Sequence, residues 1–237
     1  MAYSRSLPFK NFITEIDDII QVIRKVNLKS HAGLDVKFKE YILSSSVFLA
    51  HAEIENYIQD VFSLYLRNLS QKKFFDLNED LRSFLVYKFF KDNNIHHSLL
   101  ANDEKSIINI IKKEASNGSK HIFDKDLKIT YISGNFIYET YKYPSVKNIQ
   151  KIYKRIGCDN IFNMISKEIK KNATNILERI GTYRTSLAHT ATLSNITSND
   201  LIFALNELKL FVKGLDKTLY KRIVADYNQI FWRSYLH

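Results

Sequence analysis

The chain has few of the residues that interrupt regular structure. Its 237 residues include six glycines and two prolines, where the two types together ordinarily make up ~12% of a soluble domain. Sandwiches and barrels depend on many Gly/Pro-rich turns. The shortage argues against them and predicts a mostly helical, all-α chain. The single cysteine, Cys158, excludes an internal disulfide framework and any multi-cysteine zinc site. It lies on a Gly-Cys-Asp turn with no general base in sequence reach, so it reads as a small packed thiol. No apolar run approaches the ~18 residues of a membrane span, and the N-terminal MAYSRSLPFKNF lacks a signal-peptide core. A cytoplasmic protein with no membrane partner is expected. Neither G-x-x-x-x-G-K-[ST] nor G-x-G-x-x-G occurs, so no Walker or Rossmann site and no cofactor is expected. His96-His97 stands without cysteine or a carboxylate pattern, so no metal site is expected either.

What is present is apolar content and positive charge. Hydrophobic residues make up 45%, enough for a sizeable core, and the net charge is +10. Half of that excess lies between residues 147 and 171. There Lys147, Lys151, Lys154, Arg155, Lys167, Lys170 and Lys171 face only Asp159 and Glu168. Such a basic stretch is a candidate RNA-binding surface; a solvated helix face is the plainer reading.

Apolar spacing predicts the helices. Phe12, Ile16, Ile19, Ile20 and Ile23 mark one over 9–27, and Gly33 punctuates. A long helix is expected over 36–69. One row runs Leu43, Val47, Ala50, Ile54, Tyr57, Val61, Leu64, and a second runs Phe48, His51, Glu55, Ile58, Phe62. A helix apolar on more than one flank is central to a core. Further helices are expected at 80–93, at 102–116 (ended by Asn117-Gly118), at 145–156, 160–171 and 173–189, and from Ser198-Asn199-Asp200 onward. The last carries Leu201, Leu205, Leu208, Val212, Leu215 and Leu219, a core stripe or, less simply, a coiled-coil seam. Residues 127–143, LKITYISGNFIYETYKY, are rich in β-branched and aromatic residues about Ser133-Gly134-Asn135 and predict a small β-hairpin. Its Tyr131, Phe136, Tyr138, Tyr141 and Tyr143 are available to stack on bases or to pack on the core. The whole reads as one domain, 1–237.

The informative segment is 173–191, ATNILERIGTYRTSLAHTA. On a wheel of ~100° per residue, Ala173, Leu177, Ile180 and Leu187 fall within about 60° of Arg184. A guanidinium in an apolar stripe cannot shed its proton and needs a carboxylate, a phosphate or several acceptors. His189 follows about 140° round and ~7.5 Å along. An imidazole moves protons near neutral pH, and a guanidinium stabilises developing phosphate charge.

RTSLAH, Arg184 to His189, resembles the R-x4-H signature of the HEPN superfamily. SSSVFLAHAEIENYIQDVF, residues 44–62, resembles the long first-half helix of RiboL-PSP-type HEPN domains, where Glu55 matches the acidic position of an Ala-x-x-Glu-x-Tyr/Phe-Ile element. The resemblance implies a HEPN-like helical bundle with about 70–145 as an insertion between the core helices. It implies metal-independent RNA cleavage, with the 2′-hydroxyl attacking the adjacent phosphate to leave a 2′,3′-cyclic end. His189 would be general base or acid, and Arg184 would bind the scissile phosphate. Glu55 would orient one of them or form a buried ion pair with Arg184. The implied enzyme is a homodimer lining one cleft, a toxin or antiviral-defence effector acting on tRNA or mRNA, with a cognate antitoxin or regulatory protein as a further partner. Many members carry Asn or Asp after the arginine. Here it is Thr185, which donates and accepts but lacks the two-sided geometry of an amide. Two other readings stay open: a non-catalytic HEPN module that binds RNA, nucleotide or protein, and a helical scaffold in which the Arg184–Glu55 pair is structural.

Overall fold

The central element of the fold is a long helix buried on several sides. A computed structural model describes residues 2–26, 36–70, 72–116, 120–129, 132–138, 141, 143–190 and 196–237. Gly33, Asn117-Gly118 and Tyr131 lie outside them. Helix α1 (Leu7–Val26) buries one stripe, Phe9, Phe12, Ile16, Ile19, Ile20 and Ile23, against α2 (Val36–Leu69). From His51 onward both rows expected on α2 are buried except Glu55 and Leu64, which are half-buried, and Phe48 is exposed. The N-terminal part of α2 is therefore covered on one side only.

The expected helices at 80–93 and 102–116 are α3 (Glu79–Asp92) and α5 (Glu104–Ser116). Between them lies α4 (Ile95–Leu100), which carries His96 and His97, and a short α6 (Lys120–Phe123) follows. Helix α5 packs on α4 and α6 and has no buried residue. Among the described residues of 127–143 the expected hairpin is not formed: Asn135–Tyr138 make up helix α7. Phe136 N and Ile137 N donate to the carbonyls of Ser133 and Gly134, which closes helical turns where a strand reversal was expected. Gly134 serves contact, since a Cβ there would come within 2.7 Å of the Ser63 Cα on α2. The β-branched residues reflect burial, as Ile129, Ile132 and Ile137 all enter the core. Among the described residues the β pairing is an isolated bridge, Lys73 to Lys128.

Helices α8 (Val146–Lys154), α9 (Ile161–Ile169), α10 (Ala173–Thr190) and α11 (Ser198–Tyr227) follow where the spacing predicts them, and α12 (Gln229–Tyr235) closes the chain. Gly157 between α8 and α9 has φ +81° and sits against the Arg222 guanidinium, which donates to its carbonyl. An L side chain fits neither the dihedral nor the space. The N-cap of α11 is Thr197, one residue before the expected group, with Asp200 reaching back from the third position as a capping box. All six leucine and valine positions of the α11 seam are buried within the chain, so the seam is core. Helix α11 packs against α1, α2, α9, α10 and α12.

A polar knot ties the N-terminal segment to this core. Asp216 on α11 is fully buried and accepts from Tyr3 Oη (2.5 Å), Ser6 N (3.1 Å), Ser6 Oγ and Tyr57 Oη (3.2 Å). Burial pushes its carboxyl above the usual carboxylate range, and the hydrogen bonds from Ser6, Tyr3 and Tyr57 work against that.

Candidate nuclease cleft

Helix α10 has two faces. Ala173, Ile176, Leu177, Ile180 and Leu187 are buried toward α2, α9 and α11. Glu178, Thr182, Thr185, Ser186 and His189 open instead on a cleft of about 660 Å³, within the ordinary range for ligand sites. The opposite wall is the segment 143–147, from Tyr143 and Pro144 into the first turn of α8. Ser145 caps α8 by accepting from Asn148 N (3.2 Å). The Tyr143 carbonyl accepts from both Ser145 N and Asn148 Nδ2, each at 2.9 Å. The backbone that presents Tyr143 is thus fixed from two directions.

The two motif residues reach this cleft differently. His189 and Thr185 are exposed and line it directly. The wheel places Arg184 within the apolar stripe; its side chain is half-buried, with its Cζ 4.9 Å from the centre of the Tyr143 ring. The charge is thus met by an aromatic face, and through it Arg184 backs the cleft wall. Glu55 on α2 is half-buried, with Oε1 3.4 Å from His51 Nδ1. The His51 ring lies 4.7 Å from the Tyr143 ring, tilted by 36°. Burial, and after it the positive charge of Arg184, push the His51 imidazole down to about 4. At neutral pH His51 is therefore an uncharged ring. Its Nε2 is buried with no hydrogen-bond partner among the described residues.

The basic stretch 147–171 does not form one surface. Lys147 lines the cleft. Lys151, Lys154 and Arg155 border a separate hollow with Asp80, Ser83 and Tyr141. In it Arg155 donates to the Ile137 carbonyl and stacks 4.4 Å from the Phe84 ring centre, a packing role. Lys151 Nζ lies over Tyr141 (4.7 Å), and Lys154 lies 3.7 Å from Asp159. Lys167, Lys170 and Lys171 border a third hollow at the turn between α9 and α10. Lys171 and Arg179 both pair with Glu207 of α11, at 3.0 and 2.6 Å. Of the tyrosines considered for stacking, Tyr138 is buried and Tyr141 is occupied by Arg155 and Lys151. Phe136 carries the Lys88 ammonium at 4.8 Å.

Sequence reasoning missed Glu178, which lines the cleft less than two turns before the motif's Arg184; a polar residue at every third or fourth position back from His189 was its signal. It also missed the roles of Tyr143 and His51, which depend on contacts across the fold. Among the described residues no group of three His, Cys, Asp or Glu side chains is arranged to hold a metal ion, and no helix is long and apolar enough to cross a membrane.

Neither a curated protein nor a solved structure matches the chain. The sequence model of the RiboL-PSP-HEPN domain matches residues 10–221. That span runs from the first turn of α1 into the last turns of α11 and takes in the α2 acid and the α10 motif alike; the chain belongs to the RiboL-PSP-HEPN family.

Proposed function

We propose that the chain is a metal-independent endoribonuclease, a toxin or antiviral-defence effector that cuts tRNA or mRNA in the cytoplasm. One observation carries the reading: α10 presents His189 to a cleft whose opposite wall, Tyr143, holds Arg184. HEPN-type domains commonly bind RNA and are often ribonucleases. In the proposed reaction the O2′–P bond forms as the 2′-hydroxyl loses its proton and the P–O5′ bond breaks as O5′ gains one. The products are a 2′,3′-cyclic phosphate and a 5′-hydroxyl. His189 acts as general base or acid. Arg184 stabilises the charge that builds on the phosphoryl oxygens, Thr185 offers a hydroxyl to the substrate, and Glu55 acts through His51. Lys147 is the basic residue best placed for the RNA backbone. The stretch 70–145 is read as an insertion.

The active form is read as a homodimer. Phe38, Tyr41, Phe48 and Leu49 lie at helical spacing on α2 and are exposed. This apolar face adjoins the flank that carries His51 and Glu55, so a second copy seated on it lies beside the cleft. An antitoxin or other regulatory protein would hold such an enzyme in check.

The test is RNA cleavage in excess EDTA by wild type and His189→Ala, with product ends typed chemically. Cleavage by wild type alone, leaving 2′,3′-cyclic ends, is the expected result. Salt-dependent RNA binding with no cleavage by folded wild type selects a non-catalytic RNA-binding module instead.

A further inference from the structure

We propose that Tyr143 is a positioning residue for Arg184: its ring holds the guanidinium in register with His189 and is itself steadied by the His51–Glu55 pair of α2. The inference rests on the nuclease reading of the same cleft and adds to it a residue outside the R-x4-H motif.

Three observations carry it. The Tyr143 ring lies on the cleft wall with the Arg184 Cζ 4.9 Å from its centre, a cation–π distance. Its backbone is locked by two hydrogen bonds to its carbonyl, from Ser145 N and Asn148 Nδ2, so the ring stands on a fixed support. Its second ring neighbour is His51, which is buried to 4% exposure and touches Glu55. His51 is uncharged at neutral pH because of its burial and of Arg184. It therefore packs beside the guanidinium without placing a second positive charge there. A long arginine side chain free in an open cleft samples many rotamers, and fixing it costs entropy at each turnover. A ring that holds the cation by its face leaves the N–H edges of the guanidinium free to meet phosphate. An ion pair with a carboxylate would occupy those edges. The arrangement supplies orientation without competing for the donors.

The experiment compares Tyr143→Phe and Tyr143→Leu with wild type and His189→Ala. Cleavage of a fluorescent mixed-sequence RNA oligonucleotide and of bulk tRNA is measured in EDTA, alongside anisotropy binding of the oligonucleotide and thermal melting. Phe keeps the π face and is expected to hold kcat within about threefold. Leu removes it and is expected to lower kcat about 10- to 100-fold, with a smaller change in KM, as a misplaced catalytic group does. A second readout does not depend on turnover. The ring-current shift of the Arg184 side-chain resonances is expected in wild type and Phe and is expected to be absent in Leu. If Leu fails to fold, Tyr143→Met takes its place. Leu or Met activity equal to that of Phe overturns the proposal and leaves the nuclease reading standing through His189→Ala. If wild type and His189→Ala alike fail to cut RNA, the nuclease reading falls. The proposal is then decided by binding: Leu affinity equal to wild type overturns it, and a severalfold loss restored in Phe supports a phosphate-holding Arg184.

Discussion

His51 shows how a single side chain couples burial, charge and the cleft. Its ordinary value of 6.5 is pushed down to about 4, chiefly by burial and further by Arg184 of α10. The other groups facing it are Glu55 on its own helix and the Tyr143 ring. The sign follows from linkage. Between about pH 6.5 and pH 4 the unfolded chain takes up a proton that the folded chain refuses. Stability therefore falls as the pH drops through that window, and above it the contribution is constant. His51→Phe keeps a ring and removes the titration. Its denaturation midpoint is expected to depend on pH less steeply than wild type, by up to one proton's worth, between pH 4 and 6.5. Parallel curves would show that the imidazole is not held neutral. The anomaly of Arg184 was legible from the wheel alone, because a cation in an apolar stripe departs from a local rule. The identity of its partner was not, because Tyr143 lies about forty residues away and helical periodicity carries no information across that gap.

At the scale of elements, close approach and buried hydrogen bonds decide the packing. Gly134 sits where a Cβ would meet the backbone of Ser63, at 2.7 Å from Cα and 2.8 Å from N. Gly134→Ala must push α7 away from α2, and overpacking of this kind costs about 1–3 kcal/mol; urea denaturation is expected to show it as a lower midpoint. Asp216 is the acceptor for Tyr3, Ser6 and Tyr57. Asp216→Ala strands buried donors at about 1–3 kcal/mol each. It is expected to lower stability by about 3 kcal/mol or more and to expose the N-terminal segment to limited proteolysis, whereas Tyr57→Phe removes one donor with its partner retained and costs about 1–2 kcal/mol. Helix spacing located α1, α2, α3 and α8–α11 because each buries an apolar stripe of period 3.6, and it located α5 by the same spacing although none of its residues is buried. The error at 127–143 has the same cause from the other side. Ile129, Ile132, Ile137 and Tyr138 are buried there, and a short buried apolar run does not distinguish strand from helix.

For the whole molecule the question is which of the positive charges would meet the RNA of the proposed function. The run from Lys147 to Lys171 reads as one basic stretch, yet the fold distributes it over three hollows. Sequence order could not show this, since α8, the Gly157 turn and α9 rotate successive lysines onto different sides. Lys171 is matched by Glu207, and Arg155 is committed to the Ile137 carbonyl and the Phe84 ring. Lys147 alone among the seven lines the cleft with His189. These roles separate in a salt titration. Each lysine that releases a counterion from single-stranded RNA contributes about −0.7 to the slope of log K against log salt. Lys147→Ala is expected to make the slope shallower by about 0.7 and to leave the melting temperature unchanged, because its side chain is exposed. Arg155→Ala is expected to leave the slope unchanged and to cost about 1–3 kcal/mol of stability through the lost hydrogen bond and ring contact. If the slope instead responds to Lys167→Ala and Lys170→Ala and ignores Lys147, the RNA runs along the α9–α10 turn, and the backbone path assigned to the α10 cleft is wrong.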